Sequence, residues 1–132
     1  MPVYNEETDL AKGVRTLHQF MSQHLPPGWR ITIADNGSTD STLQVAQQLS
    51  RELEHVGYIH LPEKGRGRAL RRAWLETPAD VVAYMDVDLS TELEALPRLL
   101  TALEGGAQVA IGSRLHPTSR VRRSLRREAL SR

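Results

Sequence analysis

A chain of 132 residues, 39% hydrophobic and 25% charged, has the composition of one soluble globular domain rather than a disordered or membrane-spanning chain. Without cysteine it has no disulfides or thiolate metal sites, which fits a reducing cytoplasm. The net charge of +1 conceals an asymmetry: residues 114–132 hold seven arginines and one glutamate, net +6, against net −5 for residues 1–113.

A basic end on an acidic body points to an anionic partner such as phosphate, nucleic acid or a lipid headgroup, or else to a solvated tail. No apolar run approaches the roughly 20 residues needed to span a bilayer. The opening MPVYNEE is acidic where a signal peptide is basic, so the chain is expected neither to span nor to be exported.

In chain order, Leu10, Val14, Leu17 and Met21 recur at helical spacing, which predicts a helix over 6–23 with Asn5 as its cap and Glu6 and Glu7 in its first turn. PPG at 26–28 breaks the chain, and WRITIAD alternates in strand fashion up to Asp35. A second helix is predicted over 41–53 with Leu43, Ala46, Leu49 and Leu53 on its apolar face. HVGYIHL reads as a strand, 67–76 as a helix, 81–85 as the most apolar strand, 92–104 as a helix and 107–111 as a last strand. Strands alternating with helices imply an α/β fold, a mainly parallel sheet covered on both faces. MPVYNEE looks like the exit of a first strand whose body is missing.

In such sheets ligands bind beyond the C-terminal strand ends, and the polar motifs fall there: DNGSTD, PEKGRGR, DVDLST and GSR. In DNGSTDST the Asn36-Gly37 pair supplies a positive φ and Ser38, Thr39 and Asp40 are natural caps. Those roles leave Asp35 over, an acid able to accept a hydrogen bond from a nucleobase ring N–H. KGRGR, a basic Gly-rich loop opening a helix, suits a phosphate, or is simply a helix start with solvated arginines. It lacks the Walker A and Rossmann spacings.

Asp86 and Asp88 carry most of the chemical information. Two carboxylates leaving an apolar strand must be compensated. At a strand terminus they suit one hard divalent cation, Mg²⁺ or Mn²⁺, that completes its shell with substrate phosphates. The alternative is Asp86 as a turn residue and Asp88 as a helix cap, although Ser90 and Thr91 are better caps. Ser113 and Arg114 of GSR, followed by arginines that include Arg123 and Arg127 four apart, could grip an acceptor phosphate or an anionic membrane surface. The five histidines lack ligand spacing and read as core or surface residues.

PVYNEE, IADNGSTDST, KGRGRALRRAW, YMDVDLST and AIGSRL, in this order over nearly the whole chain, resemble family 2 glycosyltransferases of the GT-A fold, a Rossmann-like sheet. The resemblance is greatest to polyprenyl-phosphate glucose and mannose synthases of the dolichyl-phosphate type. DLST points to the glucose synthase branch. The resemblance implies that Pro2, Tyr4, Glu6 and Asp35 line a nucleoside pocket, that Asp86 and Asp88 hold the diphosphate through a metal, and that the Gly-Ser-Arg stretch faces the acceptor phosphate. Glu63 and Arg66 replace the asparagine and lysine of the family's Asn-x-Gly-Lys-Gly loop, and Asn36 replaces a second aspartate.

The expectation is therefore an inverting, metal-dependent transfer of a sugar from a UDP- or GDP-linked donor to a polyprenyl phosphate. Asp88 is the principal metal ligand, Asp86 a ribose or metal contact, Arg66 a diphosphate contact, and Arg114, Arg123 and Arg127 acceptor clamps. Residues 1–113 form the donor-binding core and 114–132 begin the acceptor region of the same domain. The protein is expected in the cytoplasm or at the cytoplasmic membrane face, without nucleic acid, and able to pair with a second copy along an exposed sheet edge. The rival readings are a fragment, cut at both ends, that binds nucleotide sugar without turnover, and a basic-tailed module that docks on membrane or nucleic acid.

Overall fold

The computed structural model describes residues 1–90 and 92–113. The elements are β1 (Pro2–Val3), α1 (Leu10–His24), β2 (Ile31–Asp35), α2 (Thr42–Glu52), β3 (Val56–His60), α3 (Arg66–Leu75) and α4 (Ala95–Glu104). Met1–Pro97 form one compact unit, and a second begins at Arg98.

The three strands make a parallel sheet in the order β1-β2-β3, with Val3 opposite Asp35 and Asp35 opposite His60. Alternation along β2 sorts the layers. Ile31 and Ile33 join Val3 and Val56 in a core with Leu10, Val14 and Leu17 of α1 and Ala46 and Leu49 of α2. Ala34, the residue after Ile33, belongs to a smaller cluster with Leu61 and with Ala69 of α3. Helices thus cover both faces, as expected of parallel strands. Burying each large aliphatic side chain here contributes about 1.5–3 kcal/mol.

The exit of the first strand is itself a paired strand. The Met1 ammonium donates to the Thr32 carbonyl at 3.0 Å, and the Ala34 and Asn36 amides donate to the Met1 and Val3 carbonyls at 2.9 Å each.

Two predicted strands are absent among the described residues. Residues 81–85 make no ladder, and Val81, Val82 and Tyr84 are exposed. A strand needs a free partner edge, and β1 offers two residues, one of them a proline without an N–H. The segment leans on α3 through side chains instead, with the Tyr84 ring 6.3 Å from that of Trp74. Residues 107–111 begin inside the C-cap of α4: Gly106 has φ 101°, and the Gly106 and Ala107 amides return to the carbonyls of Leu103 and Ala102.

The start of α1 also differs from expectation. Asn5 has φ 53°, and residues 5–7 are held by the loop after β2, so the helix begins at Leu10 with Asp9 at its N-cap position.

Candidate functional site

At the C-terminal end of the sheet the loops after β1 and β2 are hydrogen-bonded to one another. The Asn5 amide donates to Ser38 Oγ at 3.0 Å, and Asn5 Oδ1 accepts the Thr39 amide at 2.9 Å. The Glu6 amide donates to Thr42 Oγ1 at 2.8 Å, and the Ser41 amide donates to Glu7 Oε2 at 2.9 Å. The stretch holding Tyr4 and Glu6 is thereby fixed to the turn after β2. Gly37 closes that turn at φ 71°, where a Cβ would stand 3.1 Å from the Pro62 carbonyl oxygen.

Asp35 ends β2 as predicted, but it presents no surface. Its side chain is fully buried, Oδ1 accepts the Ser38 amide at 3.2 Å and the Ser38 hydroxyl, and Oδ2 lies 2.6 Å from His60 Nδ1. Asn36 is 3% exposed, and its Oδ1 has no hydrogen-bond partner among the described residues.

The acids gather at the same end of the sheet. Burial raises the Glu6 carboxyl above its ordinary 4.5, and the charges of Asp9, Asp88, Asp40 and Asp86 add to the shift. Both aspartates of DVD therefore act on Glu6, and both have local partners. Arg66 Nη2 donates to Asp86 Oδ1 at 2.5 Å, and Asp88 Oδ1 accepts the Ser90 amide at 3.0 Å. The bond to the Ser90 amide is the local capping role weighed for Asp88 as the alternative, whereas the pairing of Arg66 with Asp86 was not foreseen in the sequence.

Val87 between them is buried against α1. A Cβ on Gly13 would fall 2.4 Å from the Val87 carbonyl oxygen, so Gly13 is what lets this turn sit so close to the helix.

Among the described residues no three His, Cys, Asp or Glu side chains cluster closely enough to cage a metal ion. The donor set still fits one. Mg²⁺ and Mn²⁺ accept one or two carboxylates and take further oxygens from substrate phosphate and water. Asp86 and Asp88 supply hard carboxylates of that kind, and Asp86 already holds a cationic group.

The remaining expected residues are spread over this end of unit 1 and beyond it. Pro2 is buried in β1. Tyr4 is half-buried, with the Lys64 ammonium 3.8 Å from its ring centroid. Arg66, the first residue of α3, has its guanidinium 5.5 Å from the Tyr84 centroid. Arg68 folds back onto Glu63 and the Lys64 carbonyl. Ser113 is exposed in the second unit, and Arg114, Arg123 and Arg127 lie outside the described residues. An open groove of about 400 Å³ between α1 and Leu89, Glu92, Leu93 and Glu94 is lined by none of the expected site residues.

His60 and Gly13 were not singled out in the sequence, Ser38 was read there as a helix cap alone, and Lys64 as part of the KGRGR loop. Of the first two, only His60 left a usable signal, the polar end of an alternating strand beside the one that ends at Asp35.

The family model described as Glycosyl transferase family 2 matches residues 1–130. The polyprenol monophosphomannose synthase of Mycolicibacterium smegmatis is 36% identical over 127 residues, covering 92% of this chain and 46% of that protein. The dolichol-phosphate mannosyltransferase of Pyrococcus furiosus is 33% identical over 114 residues, 86% of this chain and 32% of that protein. Glycosyltransferase AglD of Haloferax volcanii is 31% identical over 120 residues, 89% of this chain and 19% of that protein. The chain thus spans less than half the length of each.

Proposed function

The chain belongs to glycosyl transferase family 2, and from that membership we propose that it binds a nucleotide diphosphate sugar, UDP- or GDP-linked, for inverting transfer to a polyprenyl phosphate. The observation that carries this reading is the meeting of Arg66, Asp86, Asp88 and Glu6 at the C-terminal mouth of a parallel sheet. An anion-binding cation, hard oxygen ligands and a loop with an aromatic ring stand together there, as a diphosphate bound to a nucleoside requires. The names of two of these relatives, which carry a polyprenol or dolichol phosphate, support the acceptor class.

Asp88 and Asp86 would hold Mg²⁺ or Mn²⁺, which when bound supplies positive charge to the diphosphate leaving group. Arg66 leaves Asp86 to contact the diphosphate, with Pro2 and Tyr4 bounding the nucleoside side and Glu6 lining the mouth. The acceptor phosphate is anionic near neutral pH, so it needs little help from a protein base. The protein's part is then to position the two substrates and stabilise charge. Residues 1–113 serve the donor, while Ser113, Arg114, Arg123 and Arg127 take the acceptor phosphate at a cytoplasmic, anionic membrane face. No described helix is long and apolar enough to cross a membrane. A second copy would pair along β3, the five-residue strand at the other edge of the sheet, rather than along the two-residue β1.

The test is calorimetric titration of UDP- and GDP-sugars in Mn²⁺ against the wild-type chain and Asp88→Ala. Loss of Mn²⁺-dependent binding in the variant is expected, and unchanged heats would overturn the assignment. Measuring lipid-linked sugar beside affinity separates transfer from binding alone.

A further inference from the structure

We propose that Lys64 is a further donor-binding residue, whose ammonium covers the Tyr4 ring in the free chain and passes to the diphosphate when a nucleobase takes that ring; this deepens the nucleotide-sugar reading and rests on it. Lys64 is exposed, and its Nζ stands 3.8 Å from the Tyr4 centroid. The acid beside it in sequence, Glu63, is taken by Arg68 Nη1 at 2.6 Å, and no carboxylate among the described residues pairs with Lys64. The backbone beneath it is held from two sides. Arg68 Nη2 donates to the Lys64 carbonyl at 2.9 Å, and the turn at Gly37 lies so close to Pro62 and Glu63 that a Cβ there would stand 3.1 and 3.2 Å from their backbone atoms. The side chain is left to move on its flexible four-carbon stem.

Two residues on, Arg66 stands against Asp86. The two cations of one loop thus cover the two ends of the expected ligand, the ring for the base and the carboxylate for the metal. A contact between an exposed ammonium and a ring is weaker than the stacking of a base on that ring, so an incoming base displaces Lys64. A diphosphate anion entering beside Glu6, Asp86 and Asp88 needs more positive charge than one divalent ion and Arg66 bring. The displaced ammonium, a compact charge with three donors, supplies it. A free nucleoside must break the same contact and brings no phosphate to replace it. Lys64 therefore makes the site favour the nucleoside diphosphate over its unphosphorylated nucleoside.

Two substitutions and one spectrum separate this role from a structural one. Lys64→Met keeps the stem and removes the charge; Lys64→Arg keeps the charge. Binding of UDP and GDP in Mn²⁺ is measured by calorimetry on the 132-residue chain, and binding of uridine and guanosine by NMR titration. In Lys64→Met the affinity for whichever diphosphate the wild type takes should fall about tenfold. The affinity for the matching nucleoside should instead rise by about two- to fivefold, and Lys64→Arg should return both most of the way. The ε-methylene protons of Lys64 should be shifted upfield by the Tyr4 ring in the free chain and released when the diphosphate binds.

A diphosphate affinity that Lys64→Met leaves intact, a nucleoside affinity that fails to rise, or an ε-methylene shift that the diphosphate leaves in place would each overturn the role of Lys64 and leave the proposed function standing. If neither diphosphate binds the wild-type chain, the proposed function falls and this inference falls with it.

Discussion

Arg66 and Asp86, twenty residues apart in sequence, face one another with the guanidinium 2.5 Å from the carboxylate, so the expected diphosphate contact sits on an expected metal ligand. Both side chains are more than half exposed, and such a pair contributes at most about 1 kcal/mol. A divalent cation can therefore displace the guanidinium at little cost. Arg66→Gln should raise the affinity of the chain for Mn²⁺ alone by a few fold while lowering its affinity for a nucleoside diphosphate by about tenfold. Manganese titration followed by electron paramagnetic resonance, with nucleotide calorimetry beside it, checks the two opposite signs. A change of the same sign in both would mean that Arg66 does not share Asp86 with the ion.

Gly13→Ala ought to stabilise an ordinary helix by about 1 kcal/mol. Here the new methyl would sit 2.4 Å from the Val87 carbonyl oxygen, and backbone must move to admit it. The expected net cost is about 1–3 kcal/mol. Because Val87 lies between Asp86 and Asp88, Mn²⁺-dependent nucleotide binding should weaken more than the lost stability explains. Urea midpoints and binding at a temperature where the variant is fully folded separate the two effects.

The Glu6 carboxyl gives the pH dependence a sign. Its folded pKa is raised by burial and by the charges of Asp9, Asp88, Asp40 and Asp86, so the folded chain binds more protons than the unfolded one above the ordinary 4.5. Stability from this group is accordingly lost as pH rises from the unfolded value through the folded one. If Mg²⁺ binds Asp86 and Asp88 as proposed, it offsets their charges and should lower the Glu6 midpoint part of the way toward 4.5, the contribution of burial remaining. Carboxyl ¹³C titration of Glu6 with and without Mg²⁺ reads both effects, and a midpoint that ignores Mg²⁺ would place the ion elsewhere.

Periodicity alone located α1, α2 and the two five-residue strands, because Leu10, Val14 and Leu17, and Ile31 and Ile33, are buried wherever their partners come from. The turn at Gly37 was legible for the same local reason, its need for positive φ. The strand expected at 81–85 was not, since apolar composition says nothing about whether a partner edge exists. The site shows the same limit. Asp35 could be placed at a strand end from the sequence, but its burial and its bond to His60 depend on a register between residues 25 apart. Gly13 is a weak helix residue until the Val87 carbonyl is seen above it.

Thr42 is the hinge of the loop lacing. Its fully buried hydroxyl accepts the Glu6 amide at 2.8 Å and donates to Asp40 Oδ1, whose neighbour oxygen faces the Glu7 amide at 3.4 Å. Burial pushes the Asp40 carboxyl up, but the bonds from Thr42 and Glu7 outweigh it and hold the pKa below the ordinary 3.8. Thr42→Val preserves shape and removes both bonds, leaving the Glu6 amide without its partner. The expected cost is about 1–3 kcal/mol, read as a lower urea midpoint at unchanged slope, and Thr42→Ser should restore most of it. Because the same bond positions Tyr4 and Glu6, nucleotide affinity should fall in Thr42→Val and return in Thr42→Ser. A valine variant that keeps both stability and affinity would mean that the two loops hold the nucleoside side of the site without this hydroxyl.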